Sequence, residues 1–298
     1  MAILLHKDSS LIIQGITGKQ ARMHARHHLE YGVNLVGGIS PGKSGHVVEE
    51  KPVFDTIKEA CAALGAIDAT LILTPPYAVL DCALEAIDNG IGVIVIITEH
   101  IPIHDSMKMR EAAGTAHACI VGPNTIGLIS PGKSKAGVMP GFLYKEGNVG
   151  IVSRSGTLTH ETASNLSIMG IGQSTCVGIG GDPVPGSSFE DILKLFKDDP
   201  ETELVVLIGE IGGAAEEQAA AYLAAADYGK PVIAFIAGAT APAEKKMGHA
   251  GAIIAGEAGT VASKHAALKR AGAHLAGSIE EAVTMCGALL KKETRADF

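Results

Sequence analysis

Short apolar runs without alternation recur along the chain, separated by stretches whose apolar residues fall at helical spacing. In the first half the runs are Leu11 to Gly15 (LIIQG), one near Leu35 to Ile39, TLILT at 70–74 ending on Pro75-Pro76, VIVIIT at 93–98, and CIVGP. Helical patterns cover Lys19 to Tyr31, Ala78 to Asn89, and a stretch reaching about His117. Strands buried on both faces need no polar side. Continuous apolar runs alternating with helices therefore predict a doubly wound parallel α/β sheet. The rhythm restarts with VGIVS, STCVGIG, ELVVLIG and PVIAFIAG, among helices predicted over Leu158–Met169, Phe189–Lys197 and the alanine-rich Glu216–Tyr228. Two final helices follow a Gly-rich stretch, and KKETRADF reads as a frayed tail. Residues 126–148 have no clear period and many glycines and prolines. The expected organisation is a first α/β domain over 1–125, a junction over 126–148, and a second α/β domain over 149–298.

Composition narrows the classes. A chain of 298 residues has room for about two ordinary domains. The net charge of −8 is shared evenly by the two halves, and neither carries a basic stripe, so nucleic-acid binding is not expected. No run is long enough to cross a bilayer, and MAILLHKDSS is too short and polar for a signal peptide. Five scattered cysteines without CxxC spacing fit reduced thiols in the cytoplasm, or in a mitochondrial matrix. The 12 histidines form neither HExxH nor a His/Cys cluster, so no metal site is expected.

Several stretches suggest chemistry. Gly15-Ile-Thr17-Gly18-Lys19-Gln20 falls where a strand meets a helix, a junction whose free N–H groups favour anions. It lacks the full G-x-G-x-x-G, and no acid follows the second strand to hold a ribose, which disfavours NAD. A phosphate-bearing cofactor and a plain tight turn both remain open. Gly37-GISP-Gly42-Lys43-Ser44 and Gly127-LISP-Gly132-Lys133-Ser134 satisfy the Walker A spacing, but neither is followed by a credible helix start. His24, His27 and His28 read as solvated on a surface helix, whereas His249 stands between two glycines in MGHAGAII, where a phosphate donor or another chain could approach closely. In GIVSRSGTLTH neither Ser153 nor Ser155 has the G-x-S-x-G of a nucleophile elbow; the strand, the Ser-Gly-Thr and the helix after it fit a second anion cradle.

Together VGGISPGKSG, IITEHIP, GIVSRSGTLT, GQSTCVGIGGDPVPGS, GEIGG and MGHAGAII resemble the α subunits of succinyl-CoA synthetases, in the NDP-forming acid–CoA ligase family. The resemblance runs from the first strand to about Leu290. It implies an N-terminal Rossmann-type CoA-binding domain followed by a flavodoxin-like ligase domain. It also implies that Thr17, Gly18, Lys19, Gln20, Lys43, Ile97, Thr98 and Glu99 hold CoA, that His249 is phosphorylated, and that Glu210 orients it. By the same resemblance Ser155, Gly156 and Thr157 cradle the phosphoryl group. ATP or GTP with Mg2+ would sit mainly on an ATP-grasp β subunit, since no such domain is read here. The chain departs from the family's usual tyrosine at His160, near the expected carboxylate pocket, and has Thr125 where Gly-Pro-Asn-Cys is common. Succinate is the default acid; malate, citrate or a sulfonated acid such as sulfoacetate are alternatives. A non-catalytic CoA-binding regulatory protein is the reading of another class.

Overall fold

A computed structural model describes residues 2–238, 249 and 259–296. The chain divides into two compact units. One is built of residues 4–141 with 184–187, the other of 1–3, 142–183 and 188–298.

The first unit opens with β1 (Leu11–Gln14), α1 (Lys19–Tyr31), β2 (Leu35–Ile39), β3 (Val47–Val48), β4 (Lys51–Phe54) and α2 (Ile57–Leu64). It continues with β5 (Ala69–Ile72), α3 (Val79–Asp88), β6 (Val93–Ile96), α4 (Ile103–Ala116) and β7 (Cys119–Val121). Among the described residues these strands make a seven-stranded sheet in the order β3-β4-β2-β1-β5-β6-β7, parallel throughout except for the β3–β4 pair. Leaving β3 aside, this is the dinucleotide-binding strand order, with the order reversing between β1 and β5. Every residue of β1, β5 and β6 is buried, which explains why their sequences are unbroken apolar runs.

Two strands, β8 (Gly127–Ser130) and β9 (Ser134–Gly137), form an antiparallel hairpin inside the stretch expected as an irregular junction. Their apolar pattern is weak because Gly127 and Gly137 lie where the backbones meet. A Cβ on Gly127 would stand 2.1 Å from the Ala136 carbonyl oxygen. The turn between them holds Lys133, so the second Walker-like stretch is a hairpin. Lys43-Ser44, likewise, leads through a turn to β3. Neither pair opens a helix, and the P-loop spacing has no P-loop behind it.

The second unit contains β10 (Glu146–Ser153), α5 (Gly156–Ile168), β11 (Gln173–Gly178), α6 (Phe189–Asp198) and β12 (Leu204–Glu210). It then runs through α7 (Ala215–Ala225), β13 (Val232–Ala237), α8 (Val261–Arg270), β14 (His274–Ala276) and α9 (Ile279–Ala296). Within this unit parallel strands run in the order β14-β13-β12-β10-β11, the flavodoxin-like arrangement, whose reversal falls between β10 and β12. No helix among the described residues is long and apolar enough to cross a membrane.

His28 is not solvated, as the charge pattern of α1 suggests, but fully buried. Its Nδ1 lies 2.6 Å from the His24 carbonyl oxygen and can only donate there, so Nε2 is the acceptor for the Gly137 N–H at 3.2 Å. Both nitrogens are engaged by the neutral ring. Burial, with lesser repulsion from Lys135, lowers the imidazole from its ordinary 6.5 to about 3. Between those values the unfolded chain binds the extra proton, so stability rises with pH: this contribution is whole above pH 6.5 and lost as pH falls toward 3. Urea unfolding should therefore weaken by up to about 1.4 kcal/mol per unit across that window. His28→Gln should flatten this part of the slope while costing about 1–3 kcal/mol at pH 8. An unchanged slope in the variant would remove His28 from the account.

Candidate active site

At the reversal point of the second sheet, β10 ends at Ser153 and α5 begins at Gly156, while β12 ends at Glu210. Parallel strands leave their carboxyl-end loops side by side there, which brings residues far apart in sequence together. Ser155 is the N-cap of α5, and its hydroxyl accepts the Leu158 N–H at 3.3 Å. The Ser153 hydroxyl is spent within the turn, accepting the Ser155 N–H at 3.0 Å and donating to the Ser155 carbonyl at 2.9 Å. It is a turn-former. Gly156 and Thr157 head the helix, where N–H groups have no intrahelical acceptor, and no acidic side chain occupies the first turn of α5.

His249 meets Glu210 across this loop pair, with Nδ1 2.7 Å from Oε2. A carboxylate can only accept, so Nδ1 carries the proton and Nε2 keeps its lone pair. That hydrogen bond is the main reason the imidazole is raised above its ordinary value; burial and the Arg154 charge oppose the rise, and Asp182 adds to it. Arg154 is itself buried, and its Nη2 lies 3.3 Å from the second Glu210 oxygen, as an ion pair. Room for the ring depends on Gly181, where a Cβ would stand 2.5 Å from the His249 Cγ and Cδ2. Arg154, Gly181 and Asp182 lie within GIVSRSGTLT and GQSTCVGIGGDPVPGS, but the motifs alone assign them no role. The one local sign is a lone arginine beside the helix-capping Ser155, where any bound anion would want a counter-charge.

His160 lies in the second turn of α5, and its Nδ1 is 2.6 Å from the hydroxyl of the buried Tyr144. Burial lowers its imidazole below the usual range and raises the Tyr144 phenol well above its own. The pair is neutral near pH 7, and one hydrogen bond joins the phenol to the ring.

In the first unit the remaining candidates gather at the carboxyl ends of parallel strands. Thr17 and Gly18 follow β1, Lys43 follows β2, and Ile97, Thr98 and Glu99 follow β6. Gly18 caps α1 without a side-chain bond, and no acid stands in the first turn; Lys19 and Gln20 are exposed within it. The Thr17 hydroxyl bonds Ser40 at 3.0 Å, joining the loops after β1 and β2. Asp55 accepts the N–H groups of Lys43 and Ser44, both at 2.9 Å, and shapes the turn that leaves the Lys43 side chain exposed. The Thr98 hydroxyl donates to the Thr74 carbonyl at 2.7 Å, tying the loop after β6 to that after β5. Among the described residues no group of three or more His, Cys, Asp or Glu side chains could hold a metal ion.

Residues 6–100 match the CoA binding domain family, and residues 152–274 match the CoA-ligase family. A CoA-binding unit joined to a ligase unit is the build of an acid–CoA ligase chain. Over 277 residues the chain is 50% identical to the succinate–CoA ligase [ADP-forming] α subunit of Aquifex aeolicus, covering 92% of this chain and 90% of that one. Over 271 residues it is 52% identical to the Methanothermobacter thermautotrophicus α subunit of the same description, covering 91% of each. The chain belongs to the family of succinate–CoA ligase α subunits. Among solved structures it is similar to the ATP citrate lyase of Methanosaeta concilii in complex with (3S)-citryl-CoA, with a TM-score of 0.90 and 25% identity; the match covers 99% of this chain and 52% of that one. The chain thus spans about half of the lyase.

Because the Glu210 bond sets the ring proton and is the main cause of the raised imidazole, Glu210→Gln should lower the His249 pKa, read by NMR titration of the imidazole. Gly181→Ala should do the same by pushing the ring off the carboxylate. A titration that moves in neither variant would mean that the 2.7 Å contact does not govern the ring.

Proposed function

We propose that this chain is the CoA-binding, phosphohistidine-bearing subunit of an ADP-forming succinate–CoA ligase. The observation that carries the reading is the His249–Glu210 hydrogen bond of 2.7 Å at the reversal point of the second sheet, beside the N-terminus of α5. A carboxylate is a poor acyl donor because its oxygen is a bad leaving group. Phosphorylation makes it a good one.

His249 Nε2 attacks the γ-phosphorus of ATP; the bond to the bridging oxygen breaks and ADP leaves. A succinate oxygen then attacks the phosphorus, the N–P bond breaks, and its electron pair returns to Nε2. The thiolate of CoA adds to the carbonyl of the resulting succinyl phosphate, the C–O bond breaks, and inorganic phosphate leaves with succinyl-CoA formed. Glu210 holds the Nδ1 proton throughout, and the N–H groups of Gly156 and Thr157 with the Ser155 cap stabilise charge on the transferring group.

In this reading CoA is held by Thr17, Gly18, Lys19, Gln20, Lys43, Ile97, Thr98 and Glu99, at the edge where sheets of this strand order take their ligands. The CoA-binding domain is residues 1–125, joined through 126–148 to the ligase domain at 149–298. His160, with Tyr144 fixing its ring, contributes a neutral imidazole to selection of the acid. The nucleotide and its Mg2+ belong to an ATP-grasp β subunit, and the complex works in a reducing compartment such as the cytoplasm.

With the β subunit and γ-labelled ATP, the wild-type chain should take up acid-labile, alkali-stable label, and His249→Asn should take up none. Lys19→Ala should label normally but raise the KM for CoA about tenfold, the worth of one lost charged contact of about 1.4 kcal/mol. Absence of label on the wild type would return the chain to a regulatory CoA-binding role, and label surviving in His249→Asn would move the nucleophile elsewhere.

A further inference from the structure

Lys264 and Glu216 are both 0% exposed, and they form an ion pair. Withdrawing two charges from water costs several kcal/mol for each, and an apolar pair of similar size is often as stable or more so. Stability alone is therefore a poor reason for the pair.

Its contacts supply a better one. Lys264 Nζ donates to the Gly212 carbonyl at 2.8 Å, and Glu216 Oε1 accepts the Glu210 N–H at 3.1 Å. The two side chains grip the backbone of Glu210-Ile211-Gly212 on both sides of Ile211. Gly209 leaves room for the Glu216 side chain, since a Cβ there would stand 2.5 Å from Glu216 Oε1. Glu217 completes the surroundings, with Oε2 3.8 Å from Nζ and Oε1 accepting the Ser263 hydroxyl at 2.6 Å. The gripped segment in turn bonds chain on either side of His249 in sequence: Ile211 N–H to the Ala237 carbonyl at 3.0 Å and Gly212 N–H to the Gly259 carbonyl at 2.8 Å.

We propose that Lys264 and Glu216 are positioning residues, a buried ion pair that fixes the Glu210 peptide so that its carboxylate meets His249 Nδ1 in line. Glu210 touches the reacting histidine, and Lys264 and Glu216 act through Glu210. The proposal rests on His249 being the phosphorylated residue.

The test is the double substitution Lys264→Met with Glu216→Gln in the complex with the β subunit. It removes both charges together, keeps an acceptor for the Glu210 N–H, and loses the bond to Gly212. Labelling of His249 from γ-labelled ATP should slow at least about tenfold, while the KM for CoA stays unchanged. The acid limb of the labelling rate, set by His249 among Glu210, Arg154 and Asp182, should move to lower pH as the Glu210 bond loosens. Wild-type labelling rate and an unmoved acid limb in a folded double variant would overturn the proposal, whatever its melting temperature. Where the double variant does not fold, Gly209→Ala decides by the same readouts, because it presses on Glu216 without removing a charge. A wild-type chain that takes no label sinks the phosphohistidine reading instead. The positioning role then stands or falls on the His249 titration by NMR, which should shift between wild type and the double variant.

Discussion

An imidazole can take a phosphoryl group at one nitrogen only while the other keeps its proton, and that choice of tautomer is what the Glu210–His249 hydrogen bond fixes. The bond requires a carboxylate at the end of β12 and a ring lying on Gly181. It also requires chain entering and leaving the histidine's segment near Ile211 and Gly212. Each is a backbone demand before it is a side-chain one. The strand carrying Glu210 is buried along its whole length; it pairs in parallel with β10 as far as Ile208, and with β13 up to Glu210 itself.

Both units place their candidate residues by the same geometry. Parallel strands bring all their carboxyl ends to one edge, and where the strand order reverses, neighbouring loops part and leave room for a ligand. In the first unit that edge gathers the turns after β1, β2 and β6; in the second it gathers the turns after β10 and β12. Each also presents the N-terminus of a 13-residue helix, α1 or α5, with no acid in its first turn. The contrast lies in the caps. Gly18 offers α1 no side chain, whereas Ser155 caps α5 with its own hydroxyl. A glycine at the cap suits a bulky ligand that must approach the backbone closely.

Strands buried on both faces left an unmistakable mark in the sequence, which is why β1, β5, β6, β12 and β13 were readable as apolar runs. Helix α2 and the hairpin β8–β9 were not, for different reasons. The helix is short, and its clearest signal is a cap, Thr56 accepting the Glu59 N–H, which hydrophobic period does not see. The hairpin relies on glycines at close backbone contacts, so its pattern is one of missing side chains. His28 misled because a histidine among charged neighbours looks solvated; only the approach of Gly137 from 109 residues away gives its ring two partners. His249 and Glu210 stood out through their family motifs. Arg154 left one local sign, a lone arginine beside a helix cap, whereas Gly181 and the Lys264–Glu216 pair became visible only when the loops were brought together.

Arg154 shows why a site of this kind needs more than its hydrogen-bonded histidine and carboxylate. A histidine bonded to a carboxylate is easier to protonate, and a protonated ring is no nucleophile. Glu210 thus does two opposed things, selecting the right tautomer and drawing in a proton. The Arg154 guanidinium, 3.3 Å from the other Glu210 oxygen, answers the second without undoing the first. Its charge works against protonation of His249 while its ion pair holds the carboxylate in place. Once the ring carries a phosphoryl group, as proposed, the balance turns. Negative charge arrives beside Glu210, where among the described residues the buried guanidinium and the N–H groups heading α5 offer positive partners. A single arginine beside the helix cap thus favours the neutral ring before transfer and the charged phosphoryl group after it. Lysine would do this less well, since the guanidinium's planar fork can address carboxylate and phosphoryl oxygens together.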